Sequence, residues 1–142
     1  MIQPVSISVG CDPEGFFEQG GKIIGSEKVL PQGGLTQVYG YSPSVVLDGV
    51  QFELNPYASD DVPHLAYEIS KSFVLLRNHL SKLPEVSCCF NGVVEVSRAE
   101  LDSLSEKSRI LGCAPSRNVY GTKPITVNAK TYRKRSAGGH AH

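Results

Sequence analysis

Apolar and polar side chains alternate over Val5–Gly10, near the start of the chain. A period of two predicts a half-buried β-strand, because successive side chains of a strand point to opposite faces. The strand is expected to end in Gly10–Glu14, a segment that contains Asp12 and Glu14. These two acidic residues are therefore predicted at the end of a strand.

Two further apolar runs, Phe16–Glu18 and Lys22–Ile24, flank the glycine-bearing link Gln19–Gly21. Such a link is typical of a short hairpin with a bulge. Residues 25–43 are rich in glycine and proline, which predicts a loop with little regular structure. Long ordered loops of this kind often carry function.

The most informative strand region runs over Ser44–Asn55 and contains the turn dipeptide Asp48–Gly49. Apolar and polar residues alternate again beyond this turn. The expected apolar face consists of Val50, Phe52 and Leu54, and the expected polar face of Gln51, Glu53 and Asn55. One face is thus predicted to pack in the core, while the other carries groups that can do chemistry.

A helix is predicted over residues 62–82, with Asp60 or Asp61 as its N-cap and Pro63 in its first turn. Its apolar residues recur at spacings of three and four, which is the period of an amphipathic helix. These residues are Leu65, Ile69, Phe73, Leu76 and Leu80. We expect this stripe to face the core.

The segment Val86–Val96 is mostly apolar around Asn91–Gly92, a turn dipeptide that permits a hairpin. Ser97 and Glu100 then form a capping box, which predicts a helix that continues to about Ile110. The order of these elements favours an antiparallel α+β fold over a βαβ repeat. We expect a mainly antiparallel sheet with helices on one face.

The chain has 142 residues, enough to bury one core but few for two ordinary domains. We therefore expect a single domain over residues 1–142. Fourteen basic and fourteen acidic residues cancel, so the chain has no overall field that would attract a polyanion or an anionic membrane. Nucleic acid is not an expected partner.

No apolar stretch is long enough to span a membrane, and Met1–Pro4 lacks the pattern of a signal peptide, so a cytoplasmic location is expected. One basic cluster occurs near the C-terminus and comprises Lys130, Arg133, Lys134 and Arg135. We interpret it as a solvated face, with a nucleic-acid module as the alternative. The four cysteines, Cys11, Cys88, Cys89 and Cys113, show no zinc-type spacing and are expected to be small buried apolar residues.

Carboxylates and histidines suggest a metal site. Asp12 and Glu14 lie close together, and Glu53 lies on the polar face of a strand. His140 and His142 share a face if the C-terminus is extended. Oxygen ligands with a histidine suit a Mg²⁺ ion that must also hold nucleotide phosphates.

Each of these groups also has a plainer interpretation. Asp12 precedes a proline, which is common at the start of a turn. Glu53 is the expected outward residue of an amphipathic strand, and the two histidines can belong to a tail. Asp48 is interpreted as the first residue of an Asp-Gly hairpin turn.

Four segments resemble, in the same order, the phage-encoded carboxylate–amine ligase (amidoligase) family. They are Gly10–Phe17, Asp48–Pro56, Gly112–Tyr120 and Arg135–His142, and together they reach over essentially the whole chain. The resemblance implies a glutamine-synthetase-like catalytic fold, of which this chain would be the N-terminal portion. It also implies a location in the cytoplasm of an infected bacterial host or in the virion.

By this resemblance, the enzyme would use ATP to phosphorylate a carboxylate, and an amine would then attack the acyl phosphate to form an amide or peptide bond. The substrates would be small-molecule or peptide carboxylates and amines, with ATP and Mg²⁺ or Mn²⁺ as cofactors. The resemblance implies Glu14, Glu53 and His140 as metal ligands, with His142 as a further candidate.

The resemblance also implies roles for residues beside the metal. Asp12 would support the ligands or orient the amine, and Arg135, with Lys134 next to it, would contact the phosphates of ATP. Two positions depart from the family pattern. Family members usually have an acidic residue at the position of Ser116 and a bulky apolar residue at the position of Ala141. These departures concern the substrate side of the site rather than the metal ligands.

Members of the family continue past the segment that closes this chain, so we expect an incomplete site and a chain that is inactive alone. A sheet that lacks partner strands exposes unpaired edges, which predicts self-association or a second chain that completes the sheet. The alternative function is a non-catalytic structural or binding protein of a phage particle that keeps the ligase scaffold.

Overall fold

A computed structural model of the protein describes residues 7–36, 43–111, 127–128 and 131–142. Its strands are β1 (Glu14–Gln19), β2 (Lys22–Ile24), β3 (Leu35–Thr36), β4 (Pro43–Asp48), β5 (Gln51–Leu54), β6 (Val86–Cys89), β7 (Val93–Glu95) and β8 (Lys134–Ser136). Its α-helices are α1 (Val62–Leu80), α2 (Arg98–Ser103) and α3 (Glu106–Arg109), and a short 3-10 helix covers Ser26–Lys28.

All pairings among these strands are antiparallel. The main sheet has the strand order β2, β1, β5, β4, β3, and β6 also pairs with β1. Strands β7 and β8 form a second, two-stranded sheet. The expected α+β fold with a mainly antiparallel sheet is confirmed.

The consecutive residues Phe16 and Phe17 belong to two separate core clusters, because successive side chains of β1 point to opposite faces of the sheet. The first core cluster contains Phe17, Val29, Leu30, Val45, Phe52, Leu54 and Leu76. The second core cluster contains Phe16, Val50, Val94, Val96, Leu101 and Leu104. Strand β1 is therefore buried on both sides over these two residues.

The helices divide between the two clusters. Leu76 of α1 packs in the first core cluster, whereas Leu101 of α2 packs in the second. The expectation that the helices lie on one face of the sheet is therefore wrong. The reason is that Phe16 offers a second apolar surface, which the segment from β7 to α2 covers with its own apolar residues.

The two tight turns of the main sheet depend on glycine. The hairpin of β1 and β2 is confirmed, but it lacks the expected bulge: Gln19 pairs with Lys22, and the connection is Gly20–Gly21, with positive φ at both residues. The turn between β4 and β5 pairs Asp48 with Gln51 and places Gly49 at a φ of 61°. Such values favour glycine because it has no Cβ atom to clash with the backbone.

The predicted first strand, Val5–Gly10, is wrong within the described residues. Residues 5 and 6 lie outside them, and residues 7–10 belong to no strand, although Val9 forms an isolated bridge with Ser59. The strand begins instead at Glu14, because the two phenylalanines that follow fill the two core clusters. Asp12 and Glu14 thus precede and open a strand rather than end one.

The predicted hairpin over Val86–Val96 is also wrong. Strand β6 pairs with β1, where Cys88 lies opposite Phe17, whereas β7 pairs with β8. The dipeptide Asn91–Gly92 therefore connects two sheets. Val86 and Cys88 of β6 pack against the first core cluster, whereas Val94 of β7 belongs to the second.

The predicted helix after Ser97 is divided in two. Ser97 accepts a hydrogen bond of 3.1 Å from the N–H of Glu100, as the capping box predicts, but Leu104 is extended and buried and ends α2. Ser105 then caps α3 and donates from its N–H and its hydroxyl to the carboxylate of Glu27. The helix is interrupted here because Leu104 is buried in an extended conformation and Ser105 is hydrogen-bonded to Glu27.

Helix α1 has the predicted position, but its buried side matches the predicted stripe only in part. Its buried residues are Glu68, Ser72 and Leu76, whereas Phe73 of the predicted stripe is 40% exposed. At 100° per residue, the centre of the buried line lies about 60° from the centre of the predicted stripe, and Leu76 belongs to both. Val50 was expected on the same face as Phe52. It lies in the turn before β5 and packs in the second core cluster, whereas Phe52 packs in the first.

Three cysteines lie in the described residues, and all are free and half-buried: Cys11, Cys88 and Cys89. Burial, and to a lesser extent Cys89, raises the pKa of Cys88 to about 11. In the part of the chain that is described, α1 is the longest helix, and no helix there has the length and apolarity to cross a bilayer.

Candidate functional site

Strand register brings two acidic residues directly opposite each other. Glu14 opens β1 and is the cross-strand partner of Glu53 in β5. Side chains at such paired positions lie on the same face and close together, and like charges there are destabilising. The sequence nevertheless places a carboxylate at both positions.

Asp48 joins this pair from the end of β4. It lies opposite Gln51 across the turn, so it is the diagonal neighbour of Glu53, on the same face. One carboxylate oxygen each from Glu14, Asp48 and Glu53 lies within 4.8 Å of the others. We call these three residues the acidic cluster.

Two carboxyl groups of the acidic cluster, those of Glu53 and Asp48, have raised pKa values. Burial first, and then the neighbouring charges of Asp12, Asp48 and Glu14, raise the pKa of Glu53 to about 6, while His140 opposes the rise. Burial, then Glu14, also raises the pKa of Asp48, although a hydrogen bond from Gln51 opposes the rise. The cluster therefore holds negative charge that a cation would relieve.

The C-terminal segment Gly138–His142 lies antiparallel beside Gly10–Glu14. The N–H of Gly10 donates to His142 O at 2.6 Å, and the N–H of His142 returns a bond of 3.0 Å to Gly10 O. The N–H of Asp12 donates to His140 O at 3.2 Å, and the N–H of Glu14 donates to Gly138 O at 3.0 Å. The C-terminal segment is therefore extended. An extended backbone is the condition under which His140 and His142 were expected to lie on the same face.

Two carboxylates hold this segment in place. Asp12 Oδ1 accepts a 2.7 Å bond from the N–H of His140, and Glu14 Oε2 accepts a 2.8 Å bond from the N–H of Gly138. The ring atom Nδ1 of His140 lies 3.5 Å from the same Asp12 oxygen. Asp12 and Glu14 thus connect the C-terminal segment to the edge of the acidic cluster.

The two histidines differ in their surroundings. The side chain of His140 is mostly exposed and lies close enough to influence the pKa of Glu53. The ring of His142 lies against Gly10, where an added Cβ atom would come within 2.8 Å of His142 Nε2. Among the described residues, the group of ligand atoms within 4.8 Å of one another includes neither histidine.

The predicted phosphate contacts lie on β8, in the second sheet. Arg135 is 3% exposed, and its guanidinium donates to the carbonyl oxygens of Tyr132, Lys134 and Arg109 at 2.5 Å, 3.0 Å and 3.0 Å. Through its hydrogen bond to the carbonyl of Arg109, Arg135 connects β8 to the last residue of α3. Lys134 is exposed and lies opposite Glu95.

Sequence reasoning missed Asp48 as a member of the site. Its place before Gly49 marked it as a turn residue, and it does stand at the turn. The available signal was its spacing, because a two-residue turn puts Asp48 on the same face as Glu53. The predicted segment Gly112–Tyr120 lies outside the described residues.

Comparison with known protein families, with curated proteins and with solved structures finds no match to this chain. The family resemblance accordingly depends on the sequence segments alone, and the chemistry of the site depends on the geometry described above.

Proposed function

We propose that the protein is an ATP-dependent carboxylate–amine ligase whose divalent cation is held by Glu14, Asp48 and Glu53. The observation that carries this proposal is the convergence of three carboxylate oxygens, within 4.8 Å of one another, from three strands. Their mutual repulsion costs stability unless a positive charge binds between them.

The chemistry of these ligands fits Mg²⁺ or Mn²⁺. Both are hard cations that prefer carboxylate oxygens and keep free positions for water or phosphate. Glu53 is the central ligand of the three, since it pairs with Glu14 and is the diagonal neighbour of Asp48. A bound cation would neutralise charge on the phosphates of ATP.

The residues around the cluster serve the same reaction in this proposal. Asp12 and Glu14 fix the C-terminal segment, which leaves the exposed ring of His140 at the edge of the cluster. Asp12 also offers a carboxylate that can orient a cationic amine substrate. A phosphate role for Arg135 would require its guanidinium to leave the carbonyl oxygens that it now contacts.

The test is calorimetric titration of ATP in excess Mn²⁺ against the wild-type chain, Glu53→Gln and Glu18→Gln. Glu18 is a matched control, because it also lies in β1 and is half-buried, but it is not part of the acidic cluster. We expect wild type and Glu18→Gln to bind ATP alike and Glu53→Gln to bind it at least about tenfold more weakly. Absence of ATP binding by the wild-type chain would contradict the ligase proposal.

A further inference from the structure

The N-terminal end of α1 carries a second set of reactive side chains, which shares no residue with the acidic cluster. Ser59 Oγ lies 3.2 Å from His64 Nδ1, and His64 Nε2 lies 3.3 Å from Glu68 Oε1. We propose that Ser59, His64 and Glu68 form a nucleophilic site that accepts acyl groups from activated esters. This proposal is independent of the ligase proposal, since it uses none of the same residues.

The hydrogen bonds define which ring nitrogen carries the proton. A carboxylate only accepts, so the contact with Glu68 places the proton on His64 Nε2. The other nitrogen, Nδ1, then accepts the hydroxyl proton of Ser59. The order of hydroxyl, imidazole and carboxylate is the order that activates a serine for attack.

The backbone supports this direction of proton transfer. The N–H of Asp61 donates to Ser59 Oγ at 3.1 Å, so the oxygen accepts one bond while its own proton points to His64. The first helical residue of α1, Val62, lies three residues beyond Ser59, and the positive end of the helix dipole stabilises negative charge there.

The burial of Glu68 is not explained by packing alone. Glu68 is 5% exposed, and within the described residues its Oε2 atom has no hydrogen-bond partner, whereas Phe73 and Val74 of the same helix are exposed. A helix that only stabilised the fold would bury those apolar residues instead. Lys71 Nζ, 2.6 Å from Glu68 Oε1, compensates part of the charge.

Ser59 is 7% exposed and the side chain of His64 is 57% exposed, so in this proposal the acyl group reaches Ser59 from the side of the imidazole. Ser59 Oγ would form a bond to the acyl carbon as its proton passes to His64 Nδ1. The ester C–O bond would break, and His64 would return that proton to the leaving alcohol. Water would then attack the acyl-serine by the same steps and restore Ser59.

The test uses p-nitrophenyl acetate with the full chain and its Ser59→Ala, His64→Ala and Ser70→Ala variants. Ser70 is the control, because it lies in α1 but bonds to the carbonyl of Ala66. We expect Ser59→Ala and His64→Ala to lose about 100-fold in the rate of p-nitrophenolate release, and Ser70→Ala to match wild type. Imidazole in solution should restore His64→Ala, because the ring position is exposed.

Two results would overturn the proposal. One is an equal rate of release by wild type and Ser59→Ala; the other is acetylation, mapped by mass spectrometry, that falls elsewhere than on Ser59. Glu68 acts as a positioning residue, so its role has a separate readout in the ¹⁵N spectrum of the His64 ring. Wild type should show the proton on Nε2, and Glu68→Gln should show a mixture of both ring forms; a wild-type proton on Nδ1 would contradict the assignment.

Discussion

At the residue scale, Glu53 was found from the sequence because it occupies the polar side of an alternating pattern, and Glu14 because it lies with Asp12 at the end of a predicted strand. Asp48 was not found, because an Asp-Gly dipeptide already has a sufficient explanation as a turn. The structure shows that a turn residue and a member of the acidic cluster can be the same residue. Strand register, which local sequence does not determine, decides which carboxylates meet.

Glu53→Gln should stabilise the protein at neutral pH when no divalent cation is present. The pKa of Glu53 is raised from 4.5 to about 6, so its ionised form is unfavourable in the folded state. Stability from the neutral form is present below pH 4.5 and is lost as pH rises through about 6. Full conversion of the shift would give about 2 kcal/mol, which partial exposure reduces to about 1 kcal/mol.

Urea denaturation across this pH range measures that difference. Wild type and Glu53→Gln should have similar free energies of unfolding in acid and should diverge as the pH rises. If Glu53→Gln were less stable than wild type at neutral pH, the ionised form of Glu53 would not be unfavourable in the folded state.

At the element scale, the periodicity located α1 correctly but identified its buried side only in part. The apolar stripe includes Phe73, yet the side that packs inward contains Glu68 and Ser72 as well as Leu76. Burial of a carboxylate depends on partners such as His64 and Lys71, which a hydrophobic pattern does not reveal. Helix ends such as Leu104 likewise depend on tertiary contacts.

Leu76→Ala should be far more destabilising than Phe73→Ala, although both residues belong to the predicted stripe. Leu76 is 1% exposed in the first core cluster, so its truncation leaves a cavity and should cost about 2–5 kcal/mol. Phe73 contacts Phe90 edge-on at the surface, so its loss should cost about 1 kcal/mol. Thermal unfolding of both variants gives the comparison, and equal losses would contradict the observed rotation of α1.

Glu27→Gln should loosen the junction between α2 and α3. Burial alone would raise the pKa of Glu27, but hydrogen bonds from Ser105 and Ser108 outweigh it and hold the pKa below its ordinary value. The resulting stability is present above that ordinary value and is lost as pH falls through the lowered one. Amide hydrogen exchange of α3 should rise in the variant at neutral pH; unchanged exchange would exclude the contribution of Glu27.

At the scale of the whole molecule, the pairing of Gly10–Glu14 with Gly138–His142 could not be derived from local patterns. The two segments are more than a hundred residues apart, and the only sequence sign was that both contain candidate metal ligands. The antiparallel α+β class was predictable because the strand and helix periods are strong. The division of helices between two faces was not, because it depends on which core cluster each apolar segment joins.

The expected self-association, or completion of the sheet by a second chain, remains a prediction. Light scattering of the purified chain over a range of concentrations would measure it directly. A mass that rises with concentration is the expected result, and a constant monomer mass would contradict the expectation.

The central claim, a divalent cation held by Glu14, Asp48 and Glu53, is tested most directly by calorimetric titration of Mn²⁺ without nucleotide. We expect one binding site in wild type and in the control Glu18→Gln, and an affinity about 10- to 100-fold weaker in Glu53→Gln and Asp48→Asn. Equal Mn²⁺ affinity in wild type and Glu53→Gln would contradict the account.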